Sequence, residues 1–173
     1  GVEPLCEHDV WRGEGLGLEV VRIVGDRMEV GVGRFDREAM SLLDTGRSVA
    51  EVLTVAANHV RAQRHPGAGT HPLATLARER WLRHDLVSRP SQIGVTGLVP
   101  VDPADRRPGL RYPSPAPAIG LDDRGGTVLV VCTVGVDVAV LPAAADLVLR
   151  EDPDQVVVVM PPRDVLDPVK RAV

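Results

Sequence analysis

Two valine-rich runs decide the fold: Thr127-Val-Leu-Val-Val-Cys-Thr-Val134 and Gln155-Val-Val-Val-Val-Met160. Neither alternates apolar with polar residues, which is the pattern of strands covered on both faces. Between them, Pro142 opens a helical stretch that runs to about Arg150. A short helix joining two such strands predicts a parallel, right-handed crossover. Upstream, Ala118–Leu121 reads as a short strand and Asp122–Gly126 as a turn, preceded by a strand over Ile93–Val101. A helix starts near His71-Pro72, with proline in its first turn, and ends before Pro90. From His71 onward the order is therefore helix, three strands, helix, strand. The expectation is an α/β fold: a mixed sheet with the valine-rich parallel strands central and helices flanking it.

The first half reads differently. Leu16–Val24 and Arg27–Val32 are strands joined across Gly25-Asp26, and Gly31 and Gly33 then break the second. Asp36 suits the N-cap of a short helix over Arg37–Asp44 that stops at Gly46. Ser48 with Glu51 forms an S-x-x-E capping box. Val49, Val52, Leu53, Ala56 and Val60 line one face of the helix it starts, to about Arg64. Residues 1–13 carry turn and charge signals without a period, and His65–Thr70 (HPGAGT) is a loop. This predicts a β-hairpin plus two helices over 1–66, packed on an α/β core over 71–173 in one compact unit. The Asp102–Pro117 loop holds Pro103, Pro108, Pro113, Pro115 and Pro117, and its length marks it as a flap or an excursion.

Composition narrows the function classes. A chain of 173 residues buries about 70% of its unfolded surface, enough to fold without a disulfide or metal staple. No apolar run reaches 18 residues, which excludes a transmembrane helix and a membrane partner of that kind. Two cysteines, Cys6 and Cys132, make no disulfide framework, and no signal peptide is visible, so the expected location is cytoplasmic. All but one of the 20 basic residues are arginine, Lys170 being the exception, which fits GC-rich coding. The only aromatic residues are Trp11, Phe35, Trp81 and Tyr112, too few to build a stacking platform for single-stranded nucleic acid. The start at Gly1 suggests a trimmed piece of a longer protein.

Candidate sites cluster in the helix from Pro72 to Arg89. At 100° per residue Leu73, Ala74, Leu76, Ala77, Trp81 and Val87 share a broad face, and Arg80 and His84 fall inside it. A charge aimed at a core needs a partner or a pocket. With Arg78 and Arg83 these residues form the candidate anion-binding group, alongside the structural alternative of internal salt bridges and a satisfied core histidine. Residues 57–90 carry +4 in a chain of net charge −4, a basic segment suited to phosphates or to a solvated helix face. Asp122 and Asp137 bracket the strand TVLVVCTV. Asp137 stands where open α/β sheets place ligand crevices, and the two acids, with Glu79, are the candidate metal ligands. His59, His65, His71 and His84 lack zinc spacing, as does Cys6-Glu7-His8-Asp9. The glycine-rich stretches at 13–17 and 31–33 match no phosphate-loop pattern. No cofactor is expected.

The element order of residues 71–160 resembles the αβββαβ core of the PD-(D/E)XK, restriction-endonuclease-like superfamily. That resemblance implies an acid near the second core strand, which Asp122 would supply, and an acid–x–lysine pair on the third. Val128–Thr133 has neither, so it implies a fold that binds without cutting. The whole sequence also resembles the conserved proteins of high-GC bacteria that carry no assigned activity. The leading expectation is a non-catalytic binding or interaction domain of a larger protein, in contact with an anionic partner such as nucleic acid, or with a protein. The alternatives are a metal-dependent nuclease or hydrolase, and a structural or homodimerising domain.

Overall fold

In the computed structural model, which describes residues 1–42, 46–65, 67–68 and 71–165, the chain divides into Gly1–Leu76 and Ala77–Val173. The first unit opens with β1 (Glu3–Glu7), β2 (Val10–Gly15), β3 (Leu18–Val24) and β4 (Arg27–Val30). They form an antiparallel meander in the order β1-β2-β3-β4. Two-residue turns join the strands at His8-Asp9, Leu16-Gly17 and Gly25-Asp26. The first two hold positive φ at both positions, as the twist of tight hairpins demands. The hairpin at Gly25-Asp26 matches the sequence expectation, whereas β1 and β2 occupy a stretch that shows no period. The cause is an inverted pattern. Glu7 is 2% exposed and Glu14 and Glu19 are also buried, while Trp11 on β2 is 55% exposed.

Arginines meet Glu7 and Glu19. The Glu19 carboxylate accepts from Arg22 Nε and Arg37 Nη1, each at 2.8 Å, and Arg12 Nη1 lies 3.5 Å away. Arg12 also donates to Glu7 at 3.1 Å, and Arg37 Nε approaches Glu29 at 3.9 Å. Burial pushes the Arg37 guanidinium below its ordinary value, and Glu19 opposes that shift.

Helix α1 (Gly33–Leu42) starts ahead of the expected Asp36 cap. Asp36 lies inside the helix and its Oδ2 accepts from Val32 N at 2.6 Å, so it ties down the entering chain. The expected end at Asp44 lies outside the described residues, as does part of the HPGAGT loop. Helix α2 (Val49–Gln63) begins at the capping box the sequence shows. Glu51 N donates to Ser48 Oγ at 3.3 Å and Ser48 N to Glu51 Oε2 at 2.8 Å. The donors of Ser48 hold the Glu51 carboxyl below its ordinary value. Just past α2, the buried Arg64 donates to Leu73 O at 2.8 Å, Leu16 O at 2.7 Å and Leu76 O. It thereby joins the β2–β3 turn to α3 (Pro72–Thr75) and the residue beyond it.

The expected single helix from Pro72 to Arg89 is two. Leu76 is extended and Ala77 takes a left-handed conformation, φ 43 and ψ 50, before α4 (Arg78–Ser88). Ala77 N donates to Leu110 O at 3.2 Å instead of continuing the α3 ladder. The face drawn across residues 73–87 is therefore not one helical face.

Strands β5 (Thr96–Pro100), β6 (Ala116–Leu121), β7 (Thr127–Cys132) and β8 (Gln155–Val159) form the second sheet in the order β5-β6-β7-β8. The first three are antiparallel, and β7 and β8 are parallel around α5 (Val140–Glu151). Val128, Val130 and Cys132 pack toward Leu86 of α4. Leu129 and Val131 pack toward Val140, Ala144 and Leu147 of α5. A helix thus covers each face of β7. Only one valine-rich run is central, however. Strand β8 ends the sheet, its valines half-buried to exposed, and among the described residues the only parallel pair is β7–β8. On β6, Gly120 is forced by close approach, since a Cβ there would lie 2.8 Å from Thr96 O on β5.

Glu19→Gln removes the charge that compensates buried Arg37. It is expected to destabilise the first unit by about 3 kcal/mol, read as a lower urea midpoint at unchanged slope. A change below about 0.5 kcal/mol would mean that the cluster contributes nothing net.

Candidate functional site

Helix α4 carries the charged residues that the sequence offered as a site, and the fold turns most of them inward. Glu79, Arg80 and Arg83 are buried, and Arg78 and His84 are half-buried. Glu79 forms a salt bridge with Arg107 of the proline-rich loop. Arg107 also donates to Leu110 O at 3.4 Å and Ser114 O at 3.3 Å. On its other side, Arg150 of α5 donates to Pro103 O at 3.4 Å and to Asp102 O. The loop expected to be a flap or an excursion is thus fastened by backbone and guanidinium contacts to both helices of its unit.

Arg83 reaches Pro117 O on β6 at 3.4 Å. Its charge also acts on the Cys132 thiol, although burial dominates and pushes that thiol from 9.0 to about 12. Of the four candidate anion ligands, Arg80, Arg83 and His84 fall within about 100° on the α4 wheel, while Arg78 lies on the other side. The group makes no single outward basic face.

The candidate metal ligands do not converge. Asp122 Oδ1 accepts from Arg124 N at 2.8 Å and Gly126 N at 2.7 Å, closing the β6–β7 turn. Asp137 follows the opposite end of β7, so the length of that strand, roughly 20 Å, separates the two. Glu79 is engaged with Arg107. Among the described residues, no group of three or more histidines, cysteines or acids could hold a metal ion.

Polar groups gather beyond the carboxyl ends of β7 and β8. Thr133 N donates to Val159 O at 2.9 Å, extending the ladder by one residue. Gly135 N donates to Asp164 Oδ2, also at 2.9 Å. Asp137 Oδ1 accepts from Ala139 N at 3.0 Å ahead of α5. Thr133 Oγ1 and Asp137 Oδ2 are both buried with no hydrogen-bond partner. A carboxylate oxygen and a hydroxyl in that state can each take a donor such as water. The sequence singled out Asp137 by its place after the strand. It gave no signal for Thr133, which reads as one more strand residue, nor for Asp164, which lies 29 residues from its donor.

Helix α5 presents a second feature that the sequence reading missed. Its inner face is Val140, Ala144 and Leu147, whereas Leu141 (41% exposed) and Leu149 (85%) project outward with Ala145, and Val138 (87%) is exposed in the turn ahead of the helix. Large aliphatics at such exposure, grouped along one helix, are uncommon on a surface without a partner. The signal was present as i, i+3, i+4 spacing, but valine and leucine run all around this helix, and only the packing shows which side is left out.

The two thiols differ enough to be tested directly. Alkylation of the native protein at pH 8 is expected to modify exposed Cys6 and leave buried Cys132 untouched until the chain unfolds. Because the folded-state pKa of Cys132 is raised, its stabilising effect is full below pH 9 and is lost as pH climbs toward about 12. Equal labelling of both thiols in the native protein would contradict this burial. No protein family, curated protein or solved structure matches the chain, so its site is read from its own geometry.

Proposed function

We propose that the chain is a binding or interaction domain whose partner is a protein, rather than an enzyme. The observation that carries this is the division of labour between its two long helices in the second unit. Glu79 and Arg83 of α4 are engaged within the unit, through Arg107 and Pro117 O, while α5 turns Leu141 and Leu149 outward. Buried guanidiniums that hold carbonyls and carboxylates are not available to phosphates, which weakens the anionic-partner reading. Helix, three strands, helix and strand remain the order of the second unit, in keeping with the nuclease resemblance as topology. Hydrolysis by that route needs carboxylates gathered on one ion, whereas Asp122 and Asp137 lie at opposite ends of β7, and β7 itself (TVLVVC) supplies no acid or lysine.

Fluorescence anisotropy with labelled duplex and single-stranded DNA and RNA, at several salt concentrations and with and without Mn²⁺, tests the reading. The expected result is no binding above the micromolar background of a weakly acidic protein. Binding that falls steeply with salt would restore the arginine segment as a phosphate surface. Strand cleavage on adding Mn²⁺ would restore the nuclease reading.

A further inference from the structure

We infer that His71 is a proton-sensitive cap on α3, fastening the last segment of the first unit only while its imidazole is neutral. The inference is independent of the interaction-domain reading. His71 is the N-cap residue of α3, and its Nδ1 accepts from Leu73 N at 3.2 Å. A backbone N–H can only donate, so Nδ1 presents a lone pair and the neutral ring holds its proton on Nε2. Serine, threonine, aspartate and asparagine fill the N-cap place in most helices, and their oxygens accept throughout the neutral range. An imidazole accepts only until it takes up a second proton.

The capped residue is also held from its other side. Leu73 O accepts from Nε of the buried Arg64 at 2.8 Å, and the same guanidinium donates to Leu76 O and, at 2.7 Å, to Leu16 O in the β2–β3 turn. Within α3 the bonds are few: Ala74 N donates to His71 O at 2.9 Å, Leu76 N to Pro72 O at 3.1 Å and Thr75 Oγ1 to Pro72 O at 2.9 Å. A helix of four residues is far too short to persist by itself. Its order rests on buried Ala74 and on two side-chain clamps, His71 on the N–H side and Arg64 on the carbonyl side.

Protonation of His71 acts on this arrangement in one direction only. The Nδ1–H that forms meets the Leu73 N–H, so a hydrogen bond becomes a donor facing a donor. The new positive charge stands at a helix N-terminus, the end that disfavours cations. Its neighbours are basic as well. From α2, the helix packed against α3, His59 places its ring centroid 5.8 Å from that of His71, the two rings at 84°. Arg64 follows the same helix. The other charged residues of α2 are engaged elsewhere, Glu51 with Ser48 and Arg61 with Asn58. Among the described residues no carboxylate pairs with His71 to offset its charge. The contribution of the cap is therefore complete while His71 is neutral, and it is lost as pH falls through the range in which imidazoles take up a proton.

Two measurements on the full chain test this. Histidine-ring NMR at about pH 8 reports the tautomer, and His71 is expected as the Nε2–H form. Backbone amide exchange, expressed as protection relative to the unfolded chain at each pH, is followed at Leu73 from about pH 8 to about pH 5. Protection is expected to fall by about fivefold, the factor for losing one N-cap. His71→Asn, whose amide oxygen accepts at every pH, should keep Leu73 protected across the range. His71→Ala should show the lowered protection throughout, and His59→Gln should retain the fall in smaller measure. The Nδ1–H tautomer in the neutral ring overturns the proposal on the native chain alone. Protection at Leu73 that is independent of pH, or that falls equally in His71→Asn, overturns it too. So does a loss shared with the amides of β6 and β7, which is general acid unfolding.

Discussion

Strand β7 exists only because it is enclosed. Five successive side chains, Val128 to Cys132, are buried, alternating between the α4 face and the α5 face. Such a segment has no solvent side, so it needs a strand on each edge for its backbone and a helix on each face for its side chains. Burying those side chains contributes on the order of 10 kcal/mol before chain entropy is subtracted. The other elements of the second unit are arranged by that demand. Strand β6 pairs on one edge and β8 on the other, and α4 and α5 must each direct an apolar side at the strand. Once α5 commits Val140, Ala144 and Leu147 to the strand, its remaining aliphatics can only face outward.

The same constraint places charge in unusual positions. Helix α4 must lie on the sheet, yet its sequence, RERWLRHDLVS, is among the most polar in the chain. Arg83 meets Pro117 O and Glu79 meets Arg107 within the same unit, which satisfies groups that would otherwise be costly to bury. The first unit solves a similar problem at Glu19, where three arginines gather on one carboxylate. Buried ion pairs add little net stability over apolar packing. Their consequence here is functional: arginines that look available for a partner are occupied at home.

The outward face of α5 and the half-buried edge strand β8 are continuous in sequence with the crossover that builds the core. The chain's small net charge of −4 adds little electrostatic steering.

The sequence by itself determined the elements whose signals are local. The capping box at Ser48–Glu51 set the start of α2, Gly25-Asp26 set a hairpin, and the two valine runs set strands, of which β7 but not the edge strand β8 is buried on both faces. The parallel β7–α5–β8 crossover followed from the same runs, because a twelve-residue helix between two strands leaves little other topology. Tertiary structure alone decided what depends on partners distant in sequence. Strands β1 and β2 were illegible because their buried positions are two glutamates and two glycines, and a residue such as Glu7 reads as surface until Arg12 is brought to it. The break at Leu76–Ala77 was illegible because a carbonyl 33 residues downstream takes the Ala77 N–H. The fate of Arg80 and Arg83, and the side of α5 left uncovered, were decided likewise. Periodicity states which residues share a face, and only packing states what that face meets.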